Sequence, residues 1–265
     1  MKPDKDKSPL INLREVAFRY REEDPRVIQD LSLDIKQGEV TAILGPNGTG
    51  KTTLLHLMLG LLKPLRGEVL VDGRPHHQLS RRRLSQTMGL VPQFESIPFN
   101  FSVFEYVLLG RSPYLKPFQL PTPEDREIAC QALESAGILH LAEKPVTEIS
   151  GGERQLCHLS RALAQQTRVL LLDEPTAHLD LENQHRILNL LIEMADRGMA
   201  IVLTTHDPNA AVYAADTFVL INEGDIFAEG NLEQVITAEN LSALYQVPLR
   251  VERSNGHTLV VMENA

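Results

Sequence analysis

The sequence predicts an α/β fold built on a parallel sheet, with a helical lobe inserted between two of its strands. Continuous apolar runs of strand length recur at 39–44, 169–174 and 200–205, with helical periodicity between the last two. The middle third, 94–167, carries helical patterns and little strand. Strand, helix, strand in succession gives parallel strands joined by right-handed crossovers.

Residues 1–9, MKPDKDKSP, are charged and proline-punctuated, so they read as a loose tail and not as a secretory segment. EVTAIL (39–44) is a short strand, TLLHLMLGLL (53–62) a buried helix and MGLVP (88–92) another short strand. The proline-rich stretch 112–123 is a loop leading into a helix with Ile128, Ala132, Leu133 and Ala136 on one face, closed by Gly137. VLLLDE (169–174) and AIVLTT (200–205) open with continuous apolar runs, the pattern of strands covered on both faces. Ile187, Leu190, Leu191 and Met194 fall at i, i+3, i+4 and i+7, with Gly198 as a stop. FVLINEGDIFAEG (218–230) reads as a hairpin turning at 222–225. The expected division is a tail at 1–9, a core at 10–93 and 168–230, a helical subdomain at 94–167 and a C-terminal extension at 231–265.

Composition sets bounds. The 265 residues are 43 % hydrophobic and 23 % charged, ordinary for a soluble globular chain. A net charge of −9 argues against nucleic acid as the main partner, since a phosphate backbone needs a basic face. Arg81, Arg82 and Arg83 read as a solvated helix face. The apolar stretch 54–62 is too short to span a bilayer. Cys130 and Cys157 sit in helical patterns and read as buried free thiols of a reducing compartment, so the expected location is cytoplasmic.

Three constellations carry chemistry. Gly45, Pro46, Asn47, Gly48, Thr49, Gly50, Lys51, Thr52 and Thr53 contain G-x-x-x-x-G-K-T between a strand and a helix. Glycines let successive N–H groups curl around phosphate oxygens, and the helix N-terminus adds its dipole. Lys51 would bridge the β- and γ-phosphates, and the Thr52 hydroxyl would join the shell of Mg²⁺. Asp173 and Glu174 end a strand, where ligands of a parallel sheet collect. Asp173 would hold the metal through water, and Glu174 would take the proton from an attacking water. Gln93 and His206, each just past a strand end, could reach the γ-phosphate, Gln93 on the metal or the water and His206 on the phosphate itself. The third constellation is ISGGERQ (149–155): Ser150 is a helix N-cap, and Gly151 and Gly152 leave amides exposed at a positive helix end.

GPNGTGKTT, Gln93, ISGGERQ, VLLLDEP, AHLD (177–180) and His206, in that order over nearly the whole chain, resemble the ATP-binding cassette (ABC) ATPases. The resemblance implies a P-loop, RecA-like parallel core with an antiparallel β subdomain and the helical subdomain, and an activity of ATP hydrolysis with Mg²⁺. It implies that an aromatic stacks on adenine, Tyr20 or its rival Phe18, which is taken to share its strand face. It implies that Ser150, Gly151 and Gly152 bind the γ-phosphate of ATP held by a second subunit, with Asp180 in the loop crossing the dimer axis. Ile149 and Glu153 stand where the family often has Leu and Gln. One P-loop and one such turn per chain imply a head-to-tail homodimer around two ATP molecules, attached to a separate membrane permease at the cytoplasmic face and, through it, to an extracytoplasmic substrate-binding protein. The aromatics of FESIPFNFSVFEYVLLGR, from Phe94 on, are either the docking groove for that permease or core of the helical lobe. SVFEYVLLGRSPYL and the C-terminal LSALYQVPLRVERSNGHTLVVM look like importers of iron chelates, haem and cobalamin, with molybdate-type oxyanion importers as relatives. A non-transport cassette protein and a P-loop kinase or GTPase are the rival classes.

Overall fold

The computed structural model describes residues 9–93 and 99–263. The tail expected at 1–9 lies, but for Pro9, outside the described residues, as does Phe94. In chain order the strands are β1 (Ile11–Phe18), β2 (Ile28–Ile35), β3 (Val40–Leu44), β4 (Arg66–Val71), β5 (Arg74–Pro75), β6 (Met88–Val91), β7 (Val169–Asp173), β8 (Ala200–Thr205), β9 (Thr217–Asn222), β10 (Asp225–Gly230), β11 (Leu249–Ser254) and β12 (His257–Met262). The helices are α1 (Lys51–Met58), α2 (Arg81–Thr87), α3 (Val103–Leu108), α4 (Pro123–Ser135), α5 (Gly151–Ala164), α6 (Leu181–Asp196), α7 (Pro208–Ala214), α8 (Leu232–Val235) and α9 (Ala238–Tyr245).

The main sheet has the order β10-β9-β3-β8-β7-β6, parallel except for the β9–β10 hairpin. The predicted α/β core is therefore present. An antiparallel sheet, β2-β1-β4-β5, and a hairpin, β11–β12, complete the architecture. The parallel strands alternate between two cores. Leu170 and Leu172 of β7 face a core shared with α3–α6, while Val169 and Leu171 face one shared with α1 and the antiparallel sheet. That is why these strands carry apolar residues on both faces.

Several expectations are corrected in detail. The helix read at 53–62 begins at Lys51 and stops at Met58, after which the amides of Leu61 and Leu62 turn back onto the His56 carbonyl (3.0 and 3.3 Å). The loop expected at 112–123 opens within a 3₁₀ turn that runs through Tyr114. Cys157 is buried but Cys130 only half so, and neither is in a disulfide. Arg81, Arg82 and Arg83 are exposed on α2, as their run predicts.

The helical region is fastened by a buried ion pair. Arg111 Nε lies 2.9 Å from Asp125 Oδ1, and Asp125 closes a capping box with Thr122 at the start of α4. Hydrogen bonds from Thr122 and Arg111 hold the Asp125 carboxyl below the usual aspartate range. A carboxylate with a depressed folded-state pKa stabilises fully above its unfolded value and loses that contribution as pH falls. Asp125→Ala should cost about 2 kcal/mol near neutral pH, read from urea unfolding. The deficit should shrink as the pH is lowered through the acid range.

Candidate functional site

Sheet order brings the site together. Neighbouring β3, β8 and β7 end side by side at their C-terminal edges, each followed by a motif residue. After β3 the glycine-rich loop curls into α1. Gly50, at φ 100°, occupies a left-handed conformation, and a Cβ there would come within 2.9 Å of Ile28 Cδ1 and 3.0 Å of the Val27 carbonyl. A larger residue would have to displace the loop.

Lys51 is buried and donates to the carbonyls of Gly45 (2.7 Å) and Pro46 (3.2 Å). Its Nζ also lies 3.3 Å from Oε1 of buried Glu174, an ion pair without hydrogen-bond geometry. Glu174 follows β7 in a left-handed conformation (φ 50°), and its amide donates to Thr204 Oγ1 (3.0 Å). Such backbone strain away from glycine gathers at functional positions. Glu174 Oε2 is 2.7 Å from His206 Nδ1. Asp173 accepts from Thr52 Oγ1 (2.7 Å) and Thr204 Oγ1 (2.6 Å). Sequence reasoning missed Thr204; its signal is the register that sets it beside Asp173 in the β7–β8 ladder.

Lys51, Thr52, Asp173 and Glu174 line one cleft of about 440 Å³, together with Tyr20, Val27, Asn47, Gly48, Gly50, Thr53 and Gln93. The volume is in the range of small-molecule sites. Thr52 and Asp173 offer hard oxygen donors, and the amide oxygen of Gln93 adds a third, a set suited to Mg²⁺, which fills its octahedron with water and phosphate oxygens. The residues fit that ion. Tyr20 does not share a strand face with Phe18, because β1 ends at Phe18 and Tyr20 lies in the turn beyond. Tyr20 is 58 % exposed at the cleft with its hydroxyl 3.0 Å from Thr53 Oγ1, whereas Phe18 is 6 % exposed and packs edge-on beneath it.

Ser150, Gly151, Gly152, Asp180 and His206 are not among the lining residues. His206 touches the cleft only through Glu174. Ser150 caps α5 in a capping box with Glu153: the Glu153 amide donates to Ser150 Oγ (3.2 Å) and the Ser150 amide to Glu153 Oε2 (2.8 Å). Those bonds hold the Glu153 carboxyl below its ordinary range. Glutamate at 153 thus supports the turn, since a capping box takes Glu as readily as Gln. Gly151 is open to solvent, and a Cβ on Gly152 would collide with the Asn183 amide. Asn183 also donates to Asp180, the N-cap of α6. The Ser150–Glu153 turn and Asp180 therefore form a second cluster, outside the cleft.

The sequence model described as ABC transporter matches residues 28–177. A molybdate import ATP-binding protein of Haemophilus influenzae is 40 % identical over 240 residues, covering 90 % of this chain and 89 % of that protein. An iron(3+)-hydroxamate import ATP-binding protein of Bacillus subtilis is 35 % identical, covering 86 % and 85 %. Among solved structures, an inward-facing ABC transporter described as of the metal-chelate type matches with TM-score 0.83 and 37 % identity over 96 % of each chain. A bacterial ABC transporter cassette solved as a dimer matches with TM-score 0.74 and 30 % identity, covering 84 % of this chain and 98 % of that one.

Three substitutions test the geometry. Lys51→Ala should weaken ATP binding about a hundredfold, because a charge-assisted bond to phosphate is lost and Glu174 is left unpaired; nucleotide titration by fluorescence checks it. Tyr20→Ala should weaken ATP binding about tenfold with little loss of stability, as for loss of one stacked base, while Phe18→Ala should destabilise the fold by about 3 kcal/mol.

Proposed function

The chain belongs to the ABC transporter family, whose cassettes bind and hydrolyse ATP, and on that premise we propose that it is the ATPase subunit of an importer. The observation that carries the reading is the single cleft where Lys51, Thr52, Asp173 and Glu174 converge beneath a glycine-rich loop. The triphosphate lies along the loop amides, Lys51 bridges the β- and γ-phosphates, and Tyr20 stacks on adenine. Thr52, Asp173 and Gln93 would hold Mg²⁺, which neutralises phosphate charge when bound. Glu174 takes a proton from the attacking water as the γ-phosphoryl passes to its oxygen, giving ADP and phosphate. His206, already on the Glu174 carboxylate, orients that base and would hydrogen-bond the γ-phosphate.

Because Ser150, Gly151 and Gly152 lie outside the cleft, a second copy supplies them. Two chains meet head to tail around two ATP molecules, with Asp180 at the crossing loop, and hydrolysis releases them. In this reading 10–93 with 168–230 are the nucleotide-binding core, 94–167 the signature lobe and 231–265 the extension. No helix among the described residues is long and apolar enough to cross a membrane. The motion passes to a separate permease, which holds the subunit at the cytoplasmic face, and an extracytoplasmic binding protein delivers the cargo.

The permease contact proposed here shifts from the sequence expectation. Tyr106 is buried and Phe101 and Phe104 pack against the core, so of the described aromatics in that stretch Phe99 is the exposed one. A better groove, about 510 Å³, lies between Leu59 and Leu61 after α1, Leu90 and Pro92 at β6, and Leu109 and Pro113 beside α3.

For cargo the reading is an iron chelate, haem or cobalamin. The 40 % identity to the molybdate import protein favours an oxyanion as the second reading. Purifying the native transporter with its binding protein and measuring bound metal separates them: iron or cobalt supports the first, molybdenum the second. Absence of any membrane partner would favour a non-transport role, and phosphoryl transfer to an acceptor other than water would favour a kinase.

Glu174→Gln should bind ATP normally yet lose turnover at least a hundredfold, measured as phosphate release. Ser150→Arg should leave ATP binding to the monomer intact and abolish ATP-dependent dimerisation on gel filtration.

A further inference from the structure

The two glycines of the Ser150–Glu153 turn stand in different surroundings. A Cβ placed on Gly151 would meet no atom of the described residues within 4 Å, whereas one on Gly152 would lie 2.3 Å from Asn183 Nδ2 and 2.5 Å from Asn183 Cγ. Gly152 sits in the first turn of α5 and has no left-handed φ. Nothing in its backbone therefore requires glycine, and a glycine inside a helix costs about 0.5–1 kcal/mol relative to alanine. The missing side chain answers a need for space, and Asn183 fills that space.

Asn183 is itself held in place. Its backbone amide donates to Asp180 Oδ1 (2.8 Å), and its side-chain Nδ2 donates to both carboxylate oxygens of Asp180 (2.9 and 3.1 Å). The neighbouring Gln184 Nε2 donates to the carbonyls of Thr176 (3.3 Å) and Leu179 (3.1 Å). The first turn of α6 thus grips the segment that leads back to Glu174. One turn further on, Arg186 Nη2 donates to the carbonyl of Gly137, just past the end of α4 (2.7 Å). α6 therefore reaches the helical region at two points, α5 through Asn183 and the end of α4 through Arg186.

The Asn183 amide cannot swing clear of an added methyl without giving up its bonds to Asp180. We propose that Asn183 is a positioning residue for the two-chain site: tied to Asp180 and seated on Gly152, its side chain fixes the spacing between the amides of the Ser150–Glu153 turn and the loop carrying Asp180, so that both meet a second copy in register. Glycine at 152 is needed for Asn183 and not for the nucleotide, while the open side of Gly151 is left for phosphate. This rests on the reading that the turn completes the site of a second copy.

The test is a double-mutant cycle read by light scattering with ATP and Mg²⁺, on the full-length chain carrying Glu174→Gln. The four proteins are that parent, Asn183→Ala, Gly152→Ala and the two together, with ATP affinity of the monomer and melting temperature measured alongside. Asn183→Ala and Gly152→Ala should each raise the dimer dissociation constant about tenfold, and Asn183→Ala should leave ATP affinity of the monomer unchanged. The double variant should be no weaker than the weaker single one, because the methyl enters the space that the amide has left. Should Gly152→Ala alone fail to fold, recovery of a folded, dimer-forming protein in the double variant reads the same contact. A double variant weakened about a hundredfold, the product of two independent effects, shows that the nucleotide itself needs the bare glycine and overturns the proposal. An Asn183→Ala chain that melts at lower temperature yet dimerises like the parent also overturns it, in favour of a purely structural cap. A parent that stays monomeric in saturating ATP overturns the two-chain reading, and this proposal with it.

Discussion

The site is arranged around a buried lysine facing a buried glutamate, Lys51 and Glu174 at 3.3 Å. Two charges withdrawn from water repay their desolvation only when geometry and further hydrogen bonds are good. Here the lysine finds two backbone carbonyls, but Glu174 Oε1 is left without a hydrogen bond. The pair is satisfied on one side only, which suits a cation that a stronger anion would take over. The order of the sheet makes this possible: with β3 between β9 and β8, and β7 beyond β8, the loop carrying Lys51 and the strand end carrying Glu174 open on the same edge. Thr204, in register with Asp173, ties the Asp173 carboxylate and the Glu174 backbone amide to β8.

A second constraint acts at a distance from this pair. The amides of the signature turn belong to α5, fixed by the Ser150–Glu153 capping box and by Asn183 against Gly152. That cluster lies outside the cleft of its own chain. In the proposed reading a free helix N-terminus and a phosphate cradle, each unable to reach the other within one chain, are what make nucleotide a bridge between two copies.

Much of this was legible in sequence because the decisive residues sit at strand ends. A strand buried on both faces, such as β7 or β8, needs only an unbroken apolar run, and the polar residue that ends it stands out. Ser150 was legible as a cap for the same local reason. The antiparallel sheet was not legible from its residues. Glu15, at φ 46°, interrupts the register of β1, so the alternation of apolar and polar positions breaks, and β5 is two residues long. The β11–β12 hairpin did carry a readable signal, Asn255-Gly256 at its turn, both at positive φ. Thr204 carried only an indirect one, the strand register that sets it beside Asp173, which a single strand read alone does not show.

The most direct measurement of the central claim is solution scattering on the Glu174→Gln chain with and without ATP and Mg²⁺. The account predicts that the scattering mass doubles when ATP is added and returns to that of one chain when ATP is removed. A particle of unchanged single-chain mass in saturating ATP, from a protein whose unaltered form hydrolyses at full rate under the same conditions, would contradict it.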